Sequence, residues 1–306
     1  MNNIRLKSPS YTQQQFIVHV IFVLFYSVHA QEYLVLNIGG ESSSSVLALD
    51  PGNLKERDLD IEVQRYGHGS VYYRNLVIVC GGFDQAIGRI TPSCAGYNTT
   101  VSEVENEDSI NSGLTPNDRM NKQNRPGNVV RMNLITVNLV DIPQPLQYFS
   151  LVLFEDHLFA IGGLFRNNDG ERVRLNNVYR MNLELEVKDN TTVVTEDTKW
   201  ENMPGLLTAR SSCNCQPVGN VLYCFGGIGN DGSRSADMEE FRSEEFRWVK
   251  GAQMSIARSS FSSTVYENKI YATGGKNLDM DVERTVDVYY VDKNYKKNNS
   301  KLILRN

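Results

Sequence analysis

The chain of 306 residues is 41% hydrophobic, 22% charged and 9% aromatic, a composition that excludes both intrinsic disorder and a disulfide-dense miniature scaffold. The formal charge is −5 at pH 7, and residues 1–30 hold Arg5, Lys7 and no acid, so the remainder carries 29 basic against 36 acidic residues. That sign excludes nucleic acid as the natural partner.

The first 15 residues carry only positive charge, and residues 16–28 (FIVHVIFVLFYSV) are almost wholly apolar. With Val28 and Ala30 ahead of Gln31, this is the layout of a secretory signal peptide over residues 1–30, which places the mature chain, residues 31–306, outside the cell. The apolar run is shorter than the roughly 17–25 residues that cross a bilayer, so no membrane span is expected after cleavage. In that compartment Asn98, Asn190 and Asn298, each two residues before Thr or Ser, become glycosylation acceptors.

Apolar segments closing on paired glycines follow: YLVLNIGG to Gly39-Gly40, LVIVCGG to Gly81-Gly82, LFAIGG to Gly162-Gly163, VLYCFGG to Gly226-Gly227 and KIYATGG to Gly274-Gly275. Successive pairs are 42, 81, 64 and 48 residues apart, the spacing of four-stranded propeller blades with two expansions. NVVRMNL (128–134) and NVYRMNL (177–183) keep phase with the glycines, as do Trp200 and Trp248, each ahead of an Ala-Arg-Ser-Ser. Paired glycines supply a turn at positive φ, and large aromatics fill the space between stacked sheets, so both tryptophans are expected in the core.

Together these motifs resemble the kelch repeat over about residues 32–295. The resemblance implies an all-β, kelch-type β-propeller of about five recognisable four-stranded blades. The strands read as 67–75, 76–82, 128–137 and 138–143 in blade two and 147–155, 157–163, 177–185 and 199–203 in blade three. Blade four takes 211–218, 221–227, 237–242 and 246–250; blade five takes 259–266, 269–275, 285–292 and 301–304. Blade one begins at Glu32 and continues with 45–50 and 61–64, without an innermost strand. Either the ring closes in an improvised way with another strand, or the propeller is incomplete.

Between Gly82 and Asn128 lie 45 residues, against 13 at the same place in blade three, so residues 83–127 are expected to be a long polar insertion. It would overhang the face on which the loops after the Gly-Gly strands emerge. A two-residue turn at Gly219-Asn220 sets Cys215 opposite Cys224, with Cys213 on the same side of the strand, while Cys80 and Cys94 form a second candidate disulfide that would tether the insertion.

Enzymatic constellations are sparse. After signal removal only His68 and His157 remain as histidines, and there is no nucleophile elbow, phosphate loop or zinc-protease motif. No catalytic, metal or cofactor residue is therefore assigned. The resemblance points to a secreted, non-catalytic module, similar to the kelch modules of attractin-type ectodomains, that binds an extracellular protein or glycan through loops on one face. The alternative is an extracellular carbohydrate-active enzyme or a copper oxidase resembling galactose oxidase.

Overall fold

A computed structural model describes residues 22–26, 32–38, 45–50, 55–62, 65–73, 76–98, 101–105, 129–132, 136–188, 191–195, 198–291 and 301–304. Gly39, Gly40, Asn190, Asn298 and the residues flanking the expected cleavage before Gln31 lie outside them. The described residues hold five four-stranded antiparallel sheets, and their regular secondary structure is almost entirely strand. They divide into two compact units, residues 1–66 and 67–306.

The first unit contains one sheet, in the order Phe22–Tyr26, Glu32–Ile38, Ser45–Asp50 and Lys55–Glu62. Here the sequence reading is corrected: blade one does not lack its first strand. Phe22–Tyr26, from the apolar run of the expected signal, pairs with the Gly-Gly strand over five rungs, Phe22 opposite Leu36 through Tyr26 opposite Glu32. A run of apolar, β-branched and aromatic residues satisfies strand propensity as readily as it satisfies a signal's apolar core. The fourth strand is Lys55–Glu62, so the segment 61–64 contributes only its beginning.

The second unit contains blades two to five. Blade three runs Ser150–Phe154, His157–Ile161, Val178–Asn182 and Trp200–Met203; blade four runs Asn214–Val218, Val221–Phe225, Asp237–Arg242 and Arg247–Gln253. Blade five runs Ser262–Tyr266, Lys269–Thr273, Val286–Tyr290 and Lys301–Leu304. Each is a simple meander, so every strand pairs with its neighbours in sequence. The first strands of successive blades lie side by side, and three apolar clusters fill the gaps between sheets. Leu158, Ala160 and Tyr179 face Ile78 and Cys80 of blade two, Leu222 and Phe241 face Phe159 and Ile161 of blade three, and Ile270 and Tyr289 face Tyr223 and Phe225 of blade four. Stacking is what stabilises each sheet, because one four-stranded sheet alone leaves both faces wet.

Blade two departs from the sequence reading. Its third and fourth strands are Cys94–Asn98 and Thr136–Asn138, not 128–137 and 138–143. Val129–Met132, despite its likeness to the third strand of blade three, pairs with Val101–Glu105 in a separate ribbon. The loop from Gly82 to Cys94 is short enough to return the chain directly beside Leu76–Cys80, and a short closure costs less entropy than a long one. The insertion is thus not 83–127. The expansion falls between Asn98 and Thr136, connecting the third strand to the fourth, and it emerges at the opposite end of the blade from the loops that follow Gly-Gly.

The Gly-Gly pairs do the expected work. Gly162 and Gly163 have φ of +63° and +104°, and a Cβ on Gly162 would stand 2.7 Å from the Arg210 carbonyl of the next blade. No other residue type fits that approach.

Candidate functional site

In blades two to five the start of each first strand and the loop after each Gly-Gly meet at one end of the blades. There the backbone forms a relay: Tyr148 N–H donates to the Gly67 carbonyl at 2.7 Å, Ser212 to Tyr148 at 2.7 Å and Ser260 to Ser212 at 3.1 Å. All four residues hold positive φ, from +53° to +66°. For Tyr148, Ser212 and Ser260 this left-handed conformation is strained, and each is held by its hydrogen bond to the preceding blade.

Just outside this relay, Gln147, Ser211 and Ser259 pair with Leu164, Ile228 and Lys276, the first residues of the three loops. Ser211 and Ser259 are buried, at 2% and 1% exposure, yet each hydroxyl accepts from an arginine of the preceding loop. Arg174 Nε reaches Ser211 Oγ at 3.2 Å, and Arg234 Nε reaches Ser259 Oγ at 3.0 Å. The loops also clasp one another: Arg174 N–H donates to Asn230 Oδ1 at 2.9 Å, and Asn230 Nδ2 returns a bond to the Arg174 carbonyl at 3.2 Å.

Several acids of these loops are engaged in their own turns, while Asp169, Asp279 and Asp281 stand exposed. Asp84 Oδ1 accepts from Ala86 and Ile87 N–H, Asp231 from the N–H and hydroxyl of Ser233, and Glu283 from Arg284 and Thr285 N–H. The bonds from Ser233 and Thr285 hold the Asp231 and Glu283 carboxyls below the usual carboxylate range. Arg174 is half-buried; burial, then the neighbouring Arg172, disfavours its charge, while Asp231 offsets part of that. Its two terminal nitrogens have no hydrogen-bond partner among the described residues, so an incoming anion would complete the set.

The other residues singled out in the sequence are structural or lie elsewhere. Trp248 is buried and donates Nε1–H to the Pro204 carbonyl of blade three at 2.8 Å; Trp200 makes the same bond to Val140 of blade two at 2.9 Å. Both staple one blade to the previous one. The structure joins Cys215 to Cys224 and Cys80 to Cys94, each pair directly opposed with Cα atoms 4.1 Å apart, and leaves Cys213 buried and unbridged. The second bridge links neighbouring strands of blade two, correcting the expectation that it would tether an insertion. Asn98 ends the third strand of blade two, at the end of the blade opposite the arginines. His68 precedes a first strand while His157 follows one, so the two histidines stand at opposite ends of their blades. No group of three or more potential metal ligands occurs among the described residues. The arginine–serine pairs were missed in the sequence; Arg174 lies 11 residues past Gly163 and Arg234 seven past Gly227, in loops of different length, which hides their equivalence.

Residues 209–255, spanning blade four, match the kelch motif. Blade four thus carries a kelch motif. The chain is similar to the spermatocyte protein spe-26 of Caenorhabditis elegans, at 26% identity over 164 residues covering 51% of this chain and 26% of that protein. Kelch-like protein 38 of Homo sapiens is 23% identical over 157 residues, 51% of this chain and 25% of its own length, and kelch-like protein 41b of Danio rerio is 28% identical over 145 residues, 46% and 21%. The chain thus spans about a quarter of the curated relatives it matches. The solved structure of YjhT shares the fold, with a TM-score of 0.52 at 10% identity over 79% of this chain and 66% of that one. No helix among the described residues is long and apolar enough to cross a membrane.

Proposed function

We propose that this kelch propeller is a non-catalytic binding module that takes an acidic protein segment on the loop face, with Arg174 and Arg234 receiving its carboxylates. The observation that carries this reading is the repeated arginine–serine pair: two guanidiniums on neighbouring blades, each oriented through Nε by a buried hydroxyl. A guanidinium with one edge fixed loses less rotamer entropy when a carboxylate binds the other.

The reading includes export. The charged start and apolar run over residues 1–30, the three sequons and the two cross-strand cysteine pairs support an oxidising, extracellular setting. Glycans on Asn98 would then leave from the end of the blade opposite the arginines and keep the binding face clear.

The test is fluorescence anisotropy with a labelled octapeptide of glutamate and glycine. Binding that weakens with salt and drops at least about tenfold in Arg174→Gln with Arg234→Gln supports the reading. Binding of neutral glycans that both variants retain would replace it with a glycan module.

A further inference from the structure

The residue that closes each loop is equivalent in four blades, because the residue after it donates its N–H to the second glycine. Thr91 bonds Gly82, Leu175 bonds Gly163, Ser235 bonds Gly227 and Glu283 bonds Gly275, all at 2.9 Å. The closing residues are therefore Ile90, Arg174, Arg234 and Val282. Ile90 is buried. The arginines stand at the rim, and Val282, where the series would place a third arginine, is 69% exposed.

The rest of the blade-five loop continues the change. Leu278 and Met280 are 62% and 53% exposed, at alternate positions leading to Val282. Met280 is also held against the cationic arc, since Arg234 Nη2 donates to its sulfur at 2.8 Å. From blade three to blade five the closing residues therefore run cation, cation, apolar, and in the last loop the exposed Asp279 and Asp281 alternate with the aliphatic side chains. Exposed aliphatic side chains fixed beside a guanidinium favour a ligand that buries them and neutralises the charge at once.

We propose that the 276–285 loop is the apolar half of the site, selecting protein segments in which an aliphatic or aromatic residue stands next to the carboxylates. This rests on the carboxylate reading above and adds to it the residue class read by blade five. Leu278, Met280 and Val282 are the specificity-determining side chains, with Arg234 joining the two halves.

The experiment uses the full chain and two labelled octapeptides of glutamate and glycine, one with a single leucine and one with serine in its place. The leucine peptide is expected to bind about tenfold more tightly, the weight of one aliphatic side chain covered on a partly exposed lip. Leu278→Ser with Val282→Ser should erase that difference, whereas Arg174→Gln should weaken both peptides by the same factor. Melting curves of each variant report whether the loop exchange leaves the blades folded. Equal, arginine-dependent affinity for the two peptides would overturn the apolar lip and leave the carboxylate reading standing. Absence of binding to either peptide would overturn both.

Discussion

The Arg210 guanidinium and the Glu239 carboxylate of blade four meet at 2.6 Å with their side chains 1% and 3% exposed. Arg210 also donates to the Gly226 and Asp237 carbonyls, and Glu239 accepts from the Leu207 and Thr208 amides. Blade five repeats the pair as Arg258 and Asp287, at 3.2 Å. The carbonyls of Leu146, Arg210 and Arg258 each receive the N–H of the preceding blade's second glycine, so these positions are equivalent. In blade three the place of the pair is taken by Leu146 and Tyr179, both buried. Charge therefore enters or leaves this position as a unit.

Arg210→Leu alone is expected to cost about 3–5 kcal/mol in urea unfolding, because it strands a buried carboxylate. Arg210→Leu with Glu239→Tyr, which copies blade three, should recover part of that loss. A double variant no more stable than the single one would show that the bonds to the Gly226 and Asp237 carbonyls, not the ion pair, dominate.

Gly226→Ala and Gly274→Ala should differ although both glycines hold positive φ, +66° and +73°. A Cβ at Gly226 would lie 2.6 Å from the Phe261 ring and 2.7 Å from the Arg258 carbonyl, whereas one at Gly274 meets nothing within 4 Å. Each substitution costs about 1–2 kcal/mol in left-handed strain, and Gly226→Ala costs about 1–3 kcal/mol more from overpacking. Thermal melts of the two variants measure the gap; equal losses would mean that blade five moves aside freely.

Cys213 should resist alkylation at pH 8 until the protein unfolds, because burial pushes its thiol from 9.0 up to about 11. The native state thus keeps its proton after the unfolded state has begun to lose it, so this group's contribution is full below about 9 and falls as pH rises toward about 11. Non-reducing peptide mapping is expected to join Cys80 to Cys94 and Cys215 to Cys224. Rapid labelling of Cys213 in native protein would contradict its burial.

Replacing 84–127 by a Gly-Ser linker should abolish cooperative melting of blade two, since it removes the Cys94–Asn98 strand and one half of a cysteine pair. Replacing only 106–128 leaves that ladder untouched and should preserve the melt, because loop length enters stability only logarithmically. Circular dichroism melts of both variants give the comparison.

Secreted protein is expected to begin at Gln31 by Edman sequencing, with the first sheet then lacking Phe22–Tyr26. Cleavage and incorporation of that strand exclude each other in one molecule. A folded product that retains Phe22–Tyr26 would mean that the apolar run serves as a strand.

Much of this protein is legible from residue order alone, because its rules are local. Gly-Gly marks where a strand must turn at positive φ, alternation marks the buried side, and the turn at Gly219-Asn220 sets Cys215 against Cys224 without reference to any distant residue. The repeat thereby specified the strands of blades three, four and five and the structural place of Trp200 and Trp248. It misled in blade two, where NVVRMNL carries the local signature of a third strand but Cys94–Asn98 takes the position, because the ladder is won by whichever segment a short connection delivers first. Nor could local rules find the candidate site. Arg174 lies 37 residues from Ser211, and Arg234 lies 46 from Met280; only the stacking of neighbouring blades brings these loops together. Side-chain spacing along a strand is read within a few residues, whereas a rim built from successive blades exists only once their hydrophobic faces have been buried against each other.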